Sequence, residues 1–273
     1  MHSSTPPLAH LLQGARKARR ISQLELSLQL DVSQRHVSFV ESGRARPSRE
    51  LLHAWLLALD CPLVLRNEAL LAAGYAPVYS AARLDDPALA EADHALAQLL
   101  KAHEPAPAWI LDAEWNVVRM NSGAVWLATT LLPWAAELIG QVPINMLDML
   151  THPQGLGPCM TNLEEVGPRL LAMLRQEVAA HPALAPRMAA YEAYLVSKLG
   201  AKGVAASSLR PQAPVLTTRL TSPFGELAFF SMFTTFGTPN DITLSSLRVE
   251  HMFPADDATR EVLRQHQAAT SGT

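Results

Sequence analysis

Apolar positions in the first eighty residues recur at helical spacing. Leu8, Leu11, Leu12 and Ala15 form one stripe, and a basic cluster of Arg16, Lys17, Arg19 and Arg20 follows it. Ser22, with Glu25 three residues on, is a capping box that opens a second helix whose buried face is Leu26 and Leu30. Asp31–Val32–Ser33 reads as a tight turn, and Ser33 caps a third helix from Gln34 to Glu41. Val37 and Val40 are its inward pair, so Gln34, Arg35, Ser38 and Phe39 point away from the core. Ser42–Gly43 ends that helix, and Pro47–Ser48 opens a fourth with Leu51, Leu52, Trp55 and Leu59 apolar. Leu63 to Ala73 is a fifth, closed by Gly74.

The pattern changes after the turn at Asp85–Asp86–Pro87. Leu89 to His103 reads as one helix with Leu96, Leu99 and Leu100 on one side. Trp109–Asp112 and Val117–Met120 are short apolar runs around Ala113–Asn116, the spacing of a hairpin with open register. Val215–Thr221 alternates as a strand, and Pro223–Phe224–Gly225 turns the chain. Glu226–Phe236 is apolar on both faces, which predicts a central strand covered on both sides. Leu247–Phe253 makes a third strand. Two helical stripes lie between the strand groups: Val166, Leu170, Leu171, Leu174 and Val178, then Met188, Tyr191, Leu195 and Leu199. The predicted fold is α+β. A five-helix domain over residues 1–80 precedes a connector helix at 81–104, an antiparallel-sheet domain with flanking helices at 105–263, and a polar, disordered tail at 264–273.

Composition supports a packed core, since 49% of the 273 residues are apolar and 17% charged. Charge separates the two parts. Residues 1–80 carry nine basic and six acidic side chains, and residues 81–273 carry thirteen and nineteen. A basic end on an acidic body points to a polyanionic partner for the first part. Cys61 and Cys159 are the only cysteines and do not share a metal-type spacing, so a reducing cytoplasm is the expected compartment. The start of the chain lacks a signal-peptide pattern. Gly123–Gly140 is the most apolar stretch, but Thr129, Thr130, Pro133 and Glu137 interrupt it, so no membrane span is expected. No P-loop, dinucleotide fingerprint, nucleophile elbow or zincin motif occurs, and no enzyme activity, metal site or haem or flavin site is predicted.

Two short helices joined by a tight turn, the second exposing Gln, Arg and Ser near its start, form a helix-turn-helix. The run Ser22-Gln-Leu-Glu-Leu26, Val32-Ser33-Gln34, Val40-Glu41-Ser42-Gly43-Arg44 and Pro47-Ser48 resembles the phage-repressor (Xre) class. The resemblance implies a buried ion pair between Arg16 and Glu41. It also implies a phosphate contact from Gln23 and base reading from Gln34, Arg35 and Phe39. The residue types suit that role: Gln reads adenine, Arg reads guanine, and an apolar ring meets a thymine methyl. Phe39 could equally pack against a neighbouring side chain. Ser33 and Ser38 flank the reading positions, and Arg44 and Arg46 are expected on phosphates, which position the protein without specifying sequence. Asp31 stands where a turn glycine is common; Asp tolerates the left-handed conformation better than most residues.

The opening of the second domain resembles PAS-type sensor domains. Across nearly the whole chain, Asn67–Pro77, Trp115–Val118, His152–Leu156, Asn162–Val166 and Phe229–Pro239 resemble the MmyB-type transcription regulators. That family joins an Xre helix-turn-helix to a PAS-like ligand-binding domain. The resemblance implies a pocket for a fatty acid or similar apolar ligand. A homodimer on a double-stranded operator is expected, since two recognition helices would meet half-sites about one turn apart. No other cofactor is expected. Met146, Leu147, Leu150, His152, Leu163, Phe229, Ser231, Phe233 and Thr235 are the expected pocket residues. Leu163 departs from the tryptophan expected there. A second reading stays open, in which this domain has a filled core and serves dimerisation or partner docking. In that case no ligand would bind.

Overall fold

The computed structural model describes residues 7–140, 142–178, 181–207 and 214–271. Helices α1 (Pro7–Ala18), α2 (Gln23–Gln29), α3 (Gln34–Glu41), α4 (Arg49–Ala58) and α5 (Leu63–Ala72) build the N-terminal unit. Their starts are fixed by side-chain caps. The Ser22 hydroxyl accepts from the Glu25 amide at 3.1 Å, and the Glu25 carboxylate accepts from the Ser22 amide at 2.7 Å, which holds the Glu25 carboxyl below its usual range. Ser33 caps α3 through the His36 amide (3.1 Å), and Ser48 caps α4 through the Leu51 amide (3.2 Å). Leu12, Leu26, Val37, Leu52 and Trp55 are fully buried and form one core.

The α2–α3 turn passes through Asp31 at φ 52°. An L-residue in this conformation costs roughly 1–2 kcal/mol, least for Asp and Asn. Asp31→Gly is therefore expected to be neutral or slightly stabilising, and Asp31→Val to lose about 1–2 kcal/mol in urea unfolding. The unit runs to Arg83 and takes in Thr238–Ser245 from far along the chain. The Ser80 hydroxyl donates to Asp241 at 2.6 Å, and the Ile242 amide donates to the Ser80 carbonyl at 2.8 Å.

The second unit comprises Leu84–Gly237 and the chain from Ser246 onward. Its helices begin with α6 (Ala90–Ala102), α7 (Ser122–Leu131), α8 (Met146–Thr151), α9 (Leu156–Cys159), α10 (Leu163–Glu177) and α11 (Ala185–Ser207), the last broken at Gly200. A final α13 (Asp257–Ser271) closes it, whereas the short α12 (Ile242–Ser246) falls almost wholly in the Thr238–Ser245 segment of the first unit. The strands are β1 (Ala108–Leu111), β2 (Asn116–Met120), β3 (Ile144–Asn145), β4 (Thr217–Ser222), β5 (Gly225–Thr235) and β6 (Arg248–Pro254). They form one antiparallel sheet in the order β3-β2-β1-β6-β5-β4.

Directly opposed residues on antiparallel strands share a face. One face carries Val249, His251 and Phe253 and receives α6, whose Leu96 and Leu100 are buried. The other carries Trp109, Leu220, Phe229 and Met252 and packs against α7, α8, α10 and α11 through Leu127, Leu147, Leu171 and Leu195. Gly167 lets α10 and α11 close, since a Cβ there would lie 2.5 Å from a Leu195 methyl.

Three expectations change. β5 is not covered on both faces along its length. Leu227, Ala228 and Phe229 are buried, whereas Met232 and Phe233 are 57% and 41% exposed. β4 pairs only as far as Phe230, so from Ser231 onward β5 has β6 alone beside it among the described residues. The expected connector helix is packed into the second unit: Asp93 accepts from Arg119 at 2.6 Å, and the Leu100 carbonyl accepts from Asn121. Residues 264–271 of the expected disordered tail continue α13, which is anchored by buried Thr259 and Leu263 and by His266 stacked on Trp126 at 4.8 Å. Residues 272–273 lie outside the described residues. No helix among the described residues is long and apolar enough to cross a membrane.

Candidate functional site

The first candidate surface is the outer side of α3. Ser33, Gln34 and Arg35 are exposed at its start, and Ser38 and Phe39 are half-buried one turn on. The Arg35 guanidinium lies 5.1 Å from the centre of the Phe39 ring, so these two residues support one another within a single helix face. Arg44 is exposed just past the helix. Arg46 is engaged with its own unit. It donates to the Ala73 carbonyl at the end of α5 and lies over the Tyr75 ring at 5.3 Å, and the Tyr75 hydroxyl donates to the Pro47 carbonyl.

Beneath this face, Arg16 of α1 and Glu41 of α3 form a two-pronged ion pair. Arg16 Nε donates to Glu41 Oε1 at 2.6 Å and Nη2 to Oε2 at 2.7 Å, with both residues buried. The hydrogen bonds that Arg16 donates to Glu41 raise the Arg16 pKa further, against the opposing effect of burial. Arg16 Nη1 also donates to the Ile21 carbonyl, and Gln23 Nε2 donates to Glu41 at 2.9 Å. The pair thus fixes α1, the start of α2 and the end of α3 in one arrangement. Gln23, expected on a phosphate, spends one amide N–H on Glu41.

The second candidate site is a cavity of about 620 Å³ in the second unit, within the roughly 300–1,000 Å³ range of small-molecule sites. Its apolar wall comes from Met146 and Leu150 of α8, Val166, Leu170 and Met173 of α10, Leu220 of β4 and Met252 of β6. The sheet supplies a row across three strands: Trp109 pairs with Glu250, and Glu250 with Phe233. The adjacent pair is Ser231 with Met252. Trp109 Nε1 donates to Glu250 Oε2 at 2.6 Å, and Ser231 lines the cavity on the neighbouring strand. Desolvation pushes the Glu250 carboxyl up, although it keeps accessible surface on the cavity. Arg169 of α10 is half-buried on the cavity wall, with no ion-pair or hydrogen-bond partner among the described residues.

One end of the cavity is shaped by Trp115, a bulky residue at φ 66°. Its backbone is fixed by the Asp112 carbonyl at 3.1 Å and the Met146 amide at 2.9 Å. Its ring carries the Arg248 guanidinium at 4.2 Å, and its Nε1 donates to Glu177 at 2.8 Å. Arg248 in turn donates to Glu177 at 2.6 Å, so a cation, a carboxylate and an indole hold the β1–β2 turn against α10.

Of the nine expected pocket residues, Met146, Leu150, Ser231 and Phe233 line this cavity. Leu147, Leu163 and Phe229 belong to the apolar core instead. Phe229 points to the same sheet face as Ser231 but sits where β4 and the helices close over it. His152 stacks on Trp134 at 4.4 Å, and Thr235 borders a smaller groove beside α6. Sequence reasoning missed Trp109, Trp115, Arg169 and Glu250. The legible signal was Glu250, a carboxylate in the middle of a predicted strand, between Val249 and His251.

An exposed helix-turn-helix face and an apolar cavity define the chain as a DNA-binding transcription regulator with a ligand-binding domain. Residues 12–65 match the Helix-turn-helix family, and residues 92–265 match the family described as MmyB-like transcription regulator ligand binding domain. The second match covers more than half of the chain, and the protein belongs to the MmyB-like transcription regulators. A search among curated proteins finds none that matches.

Proposed function

We propose that the protein is a cytoplasmic, homodimeric regulator that reads an operator through α3 and binds a fatty acid or similar apolar molecule to modulate that reading. Gln34, Arg35 and Phe39 contact bases, and Ser33, Ser38, Gln23 and Arg44 sit on or beside the phosphates. Two copies would place their α3 helices on half-sites about one helical turn apart. Arg35→Ala is expected to cost about 1–3 kcal/mol of discrimination between operator and random duplex, read from titrations over a salt series. An unchanged operator preference would remove Arg35 from base reading.

The observation that supports a ligand is the cavity, walled by flexible methionine and leucine side chains and bearing Arg169, a cation with no partner among the described residues. A carboxylate head at Arg169 and a hydrocarbon chain along Met146, Leu150 and Met252 suit both features. Each buried methylene contributes up to about 0.8 kcal/mol. Shortening the chain by two methylenes should then weaken binding by about tenfold. Native mass spectrometry of the purified protein, with extraction after denaturation, tests this reading. A reproducible apolar adduct is expected. A clean protein mass that is unchanged after incubation with a fatty-acid mixture would favour a partner-docking domain.

A further inference from the structure

Glu250 is an unusual residue to find on the wall of a cavity built for a hydrocarbon. Its carboxylate accepts from Trp109 Nε1 at 2.6 Å, and Ser231 lines the same cavity on the neighbouring strand. A carboxylate offers about four acceptor positions, so most of its acceptor directions are not taken by that donor. The group lies deep in the unit, and the surface it keeps is cavity wall. A plain aliphatic chain filling the cavity would strip water from those directions and give nothing in return, which is costly for a buried charged or polar group. A ligand that brings its own donor removes that cost. Sites built around such a bond discriminate strongly against analogues that lack it.

We infer that Glu250, with Ser231 and Trp109, is a hydroxyl-recognition subsite, and that the ligand is a hydroxylated aliphatic chain. This rests on the reading of the cavity as a ligand site and adds a second polar contact to it. Arg169 lies on α10 and Glu250 on β6, so head recognition and hydroxyl recognition come from different walls of the cavity. The hydroxyl donates to a Glu250 oxygen. Because that contact needs no charge on the ligand, it operates with the carboxyl ionised, and it persists with the carboxyl protonated through the remaining lone pairs.

The test measures dissociation constants for dodecanoic acid and for its 3-, 10- and 12-hydroxy derivatives, by displacement of a fluorescent apolar probe from the full-length protein. Wild type, Glu250→Gln and Glu250→Leu are compared, with thermal unfolding confirming that each variant is folded. In wild type at least one hydroxy acid should bind about tenfold or more tightly than dodecanoic acid. Glu250→Leu should abolish that preference while keeping or improving the affinity for dodecanoic acid. Glu250→Gln, which retains a carbonyl acceptor, should keep part of the preference and covers the case in which the leucine variant does not fold. Dodecanoic acid binding with no preference for any hydroxy isomer would overturn the subsite and leave the cavity reading standing. A preference that survives in Glu250→Leu would overturn it equally. Failure of all four acids to displace the probe would count against both.

Discussion

Glu41→Ala should destabilise the helix-turn-helix unit by about 3–5 kcal/mol, because it leaves the Arg16 guanidinium buried without its counter-charge. Only 8% of Arg16 and 3% of Glu41 is exposed, so water cannot replace the lost carboxylate without opening the α1–α3 contact. The same change frees Gln23 from its bond to Glu41. Domain stabilities are typically about 5–15 kcal/mol, so the loss would be roughly a fifth of the total at the least and all of it at the most. Amide hydrogen exchange in α1 and α3 would report it locally, and DNA affinity should fall as the folded fraction falls. Replacing both partners, Arg16→Met with Glu41→Leu, should recover most of the stability, since no buried charge remains. A single substitution costing under about 1 kcal/mol would mean that the pair is hydrated and does not hold the unit together.

Ser231→Trp should abolish ligand binding. Ser231 is a small, exposed residue on the cavity face of β5, opposite Met252, where β4 no longer covers the strand. An indole there would project into the space a ligand needs instead of displacing packed core. The expected loss is about 100-fold or more in affinity, or ~2.7 kcal/mol, with little change in unfolding temperature. Affinity for DNA without ligand should also stay unchanged, because the substitution lies in the second unit. Wild-type ligand affinity in this variant would place the binding site elsewhere than the cavity.

Much of the first unit was legible in the sequence because its signals are local. Ser22, Ser33 and Ser48 cap within three residues of themselves, and the helical spacing of Leu26, Val37 and Val40 identifies the buried side directly. Asp31 adopts the left-handed turn that its residue type allowed. In the second unit the strands were visible as runs, but the cavity depends on which strands are neighbours. Trp109 and Glu250 are separated by 141 positions and meet only because β1 pairs with β6. Nothing in the pattern around Glu226–Phe236 indicated that β4 would pair only as far as Phe230, which leaves Ser231 and Phe233 with β6 alone beside them among the described residues. Leu163 and Phe229 look like pocket residues in sequence for the same reason that they are core residues in the structure. Both are large and apolar, and only the packing of neighbouring helices distinguishes the two fates. The tail looked unstructured because its apolar content is low; Thr259 and Leu263 still supply enough burial to anchor α13.

The most direct test of regulation by a ligand is a titration of the full-length protein against its operator, obtained by selection from random duplexes, with and without the molecule extracted from the purified protein. A ligand that binds the DNA-competent and incompetent arrangements unequally must change operator affinity, by about 5–150-fold for typical coupling energies of 1–3 kcal/mol. A change of at least about fivefold in either direction, abolished by Ser231→Trp, is the predicted result. Identical operator affinity at saturating ligand would contradict it and show that the cavity and the DNA-reading face act independently.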